Sequence, residues 1–457
     1  MSLVNIALSG LNANRVALDV TAQNVANINT PGYSRQEALM ASVNGAKHDR
    51  LNAGNGVQVT SIRRVTDMFL VKQTWSTASI SSYASGYNDS LSQLENTLKA
   101  DGFDLSAGFD SLFAALHSAT TKPESVSLRQ QITSEAEAIS RRFNTLTQTL
   151  QHQHKDLNDQ RNAAVAQANS LLVNIAEVNQ KITEANGVGG NPSQLLDTRD
   201  KLIGELAEIV EVRTTDQADG SMQVTLTSGQ PLVMGGDAGQ LKAVPDPSDV
   251  YMATMKVEFE NQTFVVSGSV GGKIGAINDY QSDVLKPDMK AVDDMAKAMA
   301  DAFNNVLATG QDLNGNAGQP LFTYDPSTPA ASLTTTDIDP EELAFSSDGN
   351  PGNGDVLKNL IAINNQDVSV GSFGSMTLNE GFTAMVGDTA IKARQATSDY
   401  QAKKTVNEQA EKARDNVRAV NSDEEAANLM TFSQAHNANM KVISTANKLF
   451  DSVLQLF

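Results

Sequence analysis

Residues 123–187 read PESVSLRQQITSEAEAISRRFNTLTQTLQHQHKDLNDQRNAAVAQANSLLVNIAEVNQKITEANG, and this stretch decides the fold. Apolar or small residues recur at Ile132, Ala136, Ile139, Phe143, Leu146, Leu150, Leu157, Ala164, Ala168, Leu171, Ile175, Val178 and Ile182, with Gln153 and Gln160 at the remaining seam positions. Alternating steps of three and four describe one stripe of a coiled-coil-like helix. From Ile132 to Ile182 that helix spans about 75 Å at 1.5 Å per residue. A rod of this length suits a structural subunit better than a compact enzyme.

Helical patterns also occupy both chain ends. Val4, Leu8, Leu11, Leu18, Ala22 and Val25 form one stripe, closed by the turn residues Thr30, Pro31 and Gly32. At the other end Leu429, Phe432, Ile443, Ala446, Phe450, Val453 and Phe457 repeat at heptad spacing, with His436 and Asn439 in the same seam. Ser422 to Glu425 reads as a capping box, with Ser422 as the cap. Between the ends, Gly54 to Gly56 turns into a short strand from Val57, and helix resumes after the cap Asp67. Ser193 reads as the cap of another helix. Short β-like runs at 222–226, 255–259 and 264–266 mark a small β-rich domain. Helix returns from about Lys273 to Ala308, and an irregular stretch runs from Asp312 to Gly354.

The expected architecture is therefore α+β and multidomain: a long coiled-coil-like helical rod, helices at both termini, and a small β-rich inserted domain. Residues 1–66 and 405–457 make the terminal-helix assembly domain with its linker. Residues 67–209, 272–310 and 355–404 make the rod domain, and 210–271 with 311–354 the β-rich outer domain. In isolation each terminal helix is marginal, because one stripe cannot hide itself. Periodicity favours their packing on each other; the alternative is that they stay mobile until subunits stack.

Composition narrows the function. The 457 residues carry a net charge of −19, which repels phosphate backbones and anionic membrane surfaces alike. The chain has no cysteine, so disulfides and thiolate metal sites are excluded. No apolar run approaches the roughly 20 residues of a membrane span. Through Ser34 the only charges are Arg15 and Asp19, and no leader pattern is present, so export would use a route without leader cleavage.

Motifs for chemistry fail on inspection. Gly272-Lys273 lacks the first P-loop glycine, which falls on Ser267, and Ile274 follows the lysine. Asp312 to Asn316 begins like a calcium loop, but Ala317 and Thr323 stand where glycine and glutamate belong. His48, His117, His152, His154 and His436 read as surface or seam residues, with no HExxH pair. No cofactor is expected.

Several blocks carry a family resemblance. Residues 22–33, AQNVANINTPGY, resemble the N-terminal signature of bacterial flagellar rod, hook and hook-associated proteins, and Ser34-Arg35-Gln36 resembles the hook-associated protein 1 (FlgK) branch. GNGVQVTSIRRVTDMFLVKQ (54–73), LLDTRDKLIGEL (195–206), the block 271–318, and EEAANLMTFSQAHNANMKVISTANKLF (424–450) are similar to later segments of that family, in the same order. The middle is short for the family, which leaves room for one small outer domain.

The resemblance implies a non-catalytic adaptor at the hook–filament junction that polymerises as a helical homo-oligomer ring. Implied partners are hook protein, a second junction protein, the flagellar type III export apparatus, and a cytoplasmic chaperone on the C-terminal helix; nucleic acid and membrane insertion are not expected. The location implied is extracellular, after a transient cytoplasmic stage. The resemblance also shifts the expectation toward termini that stay mobile until assembly. The expected assembly surface is Val4, Leu8, Leu11, Leu18 and Val25 with Leu429, Phe432, Ile443, Phe450 and Phe457. Asn29, Thr30, Pro31, Gly32 and Tyr33 form the turn that re-aims the chain. Competing readings are another hook or rod subunit, a soluble coiled-coil binding protein, and an enzyme with a carboxylate site in the β-rich middle.

Overall fold

A computed structural model describes residues 3–43, 54–247 and 249–455. Two positions singled out above, His48 and Phe457, lie outside the described residues. Helix α1 (Leu3–Ala26) leads into an antiparallel hairpin of β1 (Gln36–Ser42) and β2 (Val57–Arg64). Helices α2 (Met68–Leu98), α3 (Leu105–Ala119), α4 (Val126–Gly187) and α5 (Ser193–Ile209) follow. The β-rich part comprises β3 (Val212–Asp216), β4 (Met222–Leu226), β5 (Pro231–Met234) and β6 (Asp237–Ala238) in one antiparallel sheet. A second antiparallel sheet holds β7 (Gln240–Asp246), β8 (Asp249–Phe259) and β9 (Gln262–Val265). Next come α6 (Gly272–Tyr280), a wide π-type turn over Gln281–Leu285, and α7 (Lys286–Leu307). After short elements come α8 (Pro329–Ser332), α9 (Asp355–Ala362), α10 (Leu378–Arg418) and α11 (Ser422–Leu454).

The α+β multidomain architecture is as expected, and α4 is its backbone, one helix of 62 residues. Its apolar stripe serves two hydrophobic cores in turn. Ile132 to Leu157 pack with α3, α7 and the end of α2. Ala164 to Ile175 pack with α5, the two sheets and Trp75. The seam is polar between these cores. Arg161, not Gln160, occupies the buried position there, because the stripe takes a four-residue step from Leu157. Its guanidinium donates to Asn158 Oδ1 at 2.6 Å and Gln281 Oε1 at 2.7 Å.

Three further expectations need correction. Residues 311–354 share the polar, Gly-rich composition of the β-rich part, yet they pack into the first core through Leu321, Phe322, Leu333, Leu343 and Phe345. These few apolar anchors outweigh the surrounding polarity because each is almost wholly buried. The cap of α11 is Asn421, whose side chain accepts from Asp423 N–H at 2.9 Å, so Ser422 is the first helical residue. Likewise Asn191, and not Ser193, supplies the side-chain oxygen at the start of α5, taking bonds from both the N–H and the hydroxyl of Ser193. Asp67 caps α2 as expected, accepting from Phe69 N–H at 2.8 Å. Asp312 does hold a turn, accepting from the N–H groups of Asn314 and Asn316.

Candidate assembly surface

The two terminal helices pack on each other. The space a side chain at Gly10 would need is taken by the Asn439 amide, 2.9 Å away, while Ala17 and Val20 share a cavity with Asn428 and Phe432. Residue numbers rise on one helix as they fall on the other, so the pair is antiparallel. The structure thus adopts the paired arrangement of the termini, in place of the unpaired one.

The pair does not meet through the apolar stripe of α1. α1 turns its small residues inward: Ala7, Gly10, Ala13 and Ala17 are buried, followed by Val20, Thr21 and Asn24. On α11 the partly covered stripe runs through Asn428, Phe432, His436, Asn439, Ile443 and Ala446. Phe432 and Ile443 are therefore seam residues of the pair. Val4, Leu11 and Leu18 are only half-buried on the other side of α1, and Leu8 and Val25 are 47% and 43% exposed. Leu429 is exposed, and Phe450 is 65% exposed among Leu449, Val453 and Leu454, which are also open. Counting from the Gly10–Asn439 contact, Leu3 lies opposite about residue 446, so these last apolar residues run past the described start of α1. On the α1 side the seam is mainly small residues, which gain little, roughly 0.8 kcal/mol per buried methyl-sized group, and on the α11 side Phe432 and Ile443 are only partly covered. The other large side chains, Leu8, Val25, Leu429 and Phe450 among them, face outward.

The signature segment ties this pair to the rod. α1 ends at Ala26, and Asn27 to Gly32 turn the chain, with Tyr33 N–H donating to Thr30 O and Gly32 at φ +87°. Asn29, Thr30 and Pro31 are exposed on this turn. The Asn24 side chain holds the returning chain: it donates to Gln36 O and accepts from Gln36 N–H, both at 2.9 Å, and accepts from Tyr33 Oη at 2.8 Å. Burial, with Asp197 and Glu425 nearby, pushes the Tyr33 hydroxyl up to about 12, so it stays a donor. Ser34 N–H donates to Asp197, and Arg35 N–H to Arg418 O at the end of α10.

Beneath the turn, Arg64 at the end of β2 reaches α5. Its guanidinium meets Asp197 at 3.0 Å and Asp200 at 2.6 Å, all three side chains being at most 10% exposed. Burial pushes the Asp200 carboxyl up while Arg64 opposes that shift. Arg199 turns the other way, donating to Gly220 O at 2.8 Å in the β-rich part. The charges of LDTRD are thus structural clamps. The available signal for these roles in the sequence is three ionic residues within four positions on one turn of an amphipathic helix. Among the described residues no cluster of three His, Asp or Glu could hold a metal ion, and no helix is long and apolar enough to cross a membrane.

Comparison with known proteins agrees with this geometry. The family described as "Flagellar hook-associated protein FlgK helical domain" matches residues 91–322. "Flagella basal body rod protein" matches residues 5–33, and "Flagellar basal body rod FlgEFG protein C-terminal" matches 418–456. Flagellar hook-associated protein 1 of Escherichia coli K12 is 26% identical over 552 residues, covering 100% of both chains. That aligned span exceeds the 457 residues here, so the relative carries segments this chain lacks. The protein of the same name from Bacillus subtilis 168 is 26% identical over 98% of this chain and 96% of its own. The solved structure of the flagellar hook junction protein FlgK from Burkholderia pseudomallei superposes with a TM-score of 0.67 at 15% identity, over 76% of this chain and 100% of that one, a likeness of fold.

Proposed function

The chain belongs to the flagellar hook-associated protein FlgK family, an axial structural component of the flagellum, and from that premise we propose that it polymerises at the hook tip to join hook to filament. In this reading residues 1–66 and 405–457 form the inner, assembling unit, and the remainder forms the outer body. The observation that carries it is the orientation of the terminal helices: α1 turns its small residues to α11, and the pair leaves Leu8, Val25, Phe450 and Leu454 bare. Neighbouring copies supply the cover, each buried apolar Å² contributing about 25 cal/mol. Pro31, Gly32 and Tyr33 carry the chain from this inner layer to the outer body.

Partners follow from the same reading. One edge of the ring meets hook protein and the other meets a second junction protein. Before export the chain is cytoplasmic, its open C-terminal helix is guarded by a chaperone, and the flagellar type III apparatus passes it outward. The small inward residues of α1 suit such a route, because they hold the pair together only weakly.

Phe450→Asp tests the reading. Since Phe450 is exposed, monomer stability should change by no more than about 0.5 kcal/mol. Incorporation at hook tips and motility should be lost. Normal incorporation and normal motility would remove Phe450 from the assembly surface.

A further inference from the structure

The outward stripe of α1 has one break. Val4, Leu8, Leu11, Leu18, Ala22 and Val25 follow steps of four and three, and the position missing from that series is 15, which is Arg15. Its side chain is exposed, on the side of α1 opposite Ala13 and Ala17, and has no acid partner among the described residues. A cation in the middle of a stripe that becomes covered is costly unless a carboxylate meets it.

Such a carboxylate stands on the other terminal helix. Glu425 is 1% exposed, and its Oε2 has no hydrogen-bond partner. It lines a partly open cavity of about 110 Å³ between α1, β1 and α11, beside Thr21, Arg35 and Asn428. The nearest cation does not serve it: Arg35 is engaged by Glu424 at 2.5 Å. Glu37, also on the cavity, is taken by Arg63. Nor does Arg15 of the same chain serve, since it points away from α11. The fold therefore holds a buried acid with an open oxygen and a seam cation without a partner, both on the assembling unit.

We propose that Arg15 of one copy enters the Glu425 cavity of the next copy and forms an ion pair that sets the register between neighbouring inner helix pairs. Apolar stripes alone slide; one buried charge pair selects a single alignment. The inference rests on the polymerisation reading above.

The test uses full-length chains in flagellated cells, with the amount retained on purified hooks read by immunoblot. Glu425→Gln and Arg15→Gln should each lower retention by about thirtyfold, and the double variant should fall no further than the worse single one. Unchanged singles, or losses that simply add, overturn the pair. A proximity measurement guards against variants that merely fold poorly. The chain has no cysteine, so copies bearing Arg15→Cys and copies bearing Glu425→Cys can be mixed, and the fraction retained on hooks treated with a bis-maleimide of about 10 Å reach, since an Arg–Glu pair spans more than a disulfide can. Crosslinked dimers should form in the mixture and in neither variant alone; retained subunits without such dimers overturn the proposal. If the unaltered chain is itself absent from hooks, the polymerisation reading fails and takes the pair with it. If it is present but positions 15 and 425 show no coupling, only the pair fails.

Discussion

The side chain of Asn24 pairs with the backbone of Gln36 in both directions, as a neighbouring strand would, with each bond 2.9 Å long. One amide thereby fixes the returning chain after the turn and also accepts the Tyr33 hydroxyl. Asn24→Ala leaves a buried donor and acceptor of Gln36 unmet, at a cost of about 2 kcal/mol. Asn24→Asp keeps the two accepting contacts but sets an oxygen against Gln36 O, so it should destabilise at neutral pH and recover partly in acid. Urea unfolding of both variants checks this; equal stability of Asn24→Ala and the parent would show the pairing to be dispensable.

Arg64 is shared by two buried carboxylates, which makes its removal costly. Arg64→Met strands Asp197 and Asp200 and should cost about 3–5 kcal/mol. The sign of the pH dependence follows from Asp200. Burial already holds its carboxyl above the ordinary range, and without Arg64 it should rise further. A group raised in the folded state favours folding at low pH and loses that contribution as pH rises. The deficit of Arg64→Met should therefore shrink on going from neutral pH into acid. Trp75, the chain's single tryptophan, donates to Asp200 O at 3.1 Å and reports the transition by fluorescence. A deficit that is constant with pH would mean the stranded acids find other partners.

What could be read in advance follows physical lines. The period of α4 was legible because one stripe of long side chains repeats over 62 residues and both cores use it. Its local phase was not: Gln160 and Arg161 both fit a polar step, and only the facing Asn278 and Gln281 select the arginine. Strand β1, QEALMAS, lacks β-branched residues and exists because β2 pairs with it. The terminal stripes were visible, but not which way they face. Large apolar residues ordinarily turn inward, whereas α1 turns Ala and Gly inward, and nothing in its own periodicity separates those outcomes. The bond from Asn24 to Gln36 spans 12 positions across a turn, so its geometry required the fold.

Asp288, at the start of α7, makes the rod core sensitive to pH. It is 2% exposed, and burial pushes its carboxyl up to about 7; Asp388 adds to the shift, while Lys392 and Thr389 oppose it. Because the folded value lies above the ordinary 3.8, the stability it contributes is full below that value and is lost as pH rises through about 7. Asp288→Asn should remove the slope and leave the variant more stable than the parent at pH 8, by a few kcal/mol in order of magnitude. Thermal unfolding at pH 5, 6.5 and 8 reads this. Parallel profiles for parent and variant would show that Asp288 does not titrate in this range.

Gly10 sets the closeness of the terminal pair. A β-carbon there would sit 2.9 Å from both amide atoms of Asn439, which itself donates to Ala435 O. Gly10→Leu improves helix propensity by nearly 1 kcal/mol, yet it drives a branched side chain into that contact. The seam has little to lose before it opens, because the first turns of α1 bury only Ala7, Ala13 and Ala17 beside Gly10. Hydrogen exchange by mass spectrometry on the parent monomer should find α1 and α11 less protected than α4, whose stripe is fully packed. In Gly10→Leu, protection over 3–26 and 426–454 should fall about tenfold further, with Ile132 to Ile182 unchanged. Equal protection in variant and parent would mean that the helices already stand apart in the monomer and that their close seam forms only against neighbouring copies.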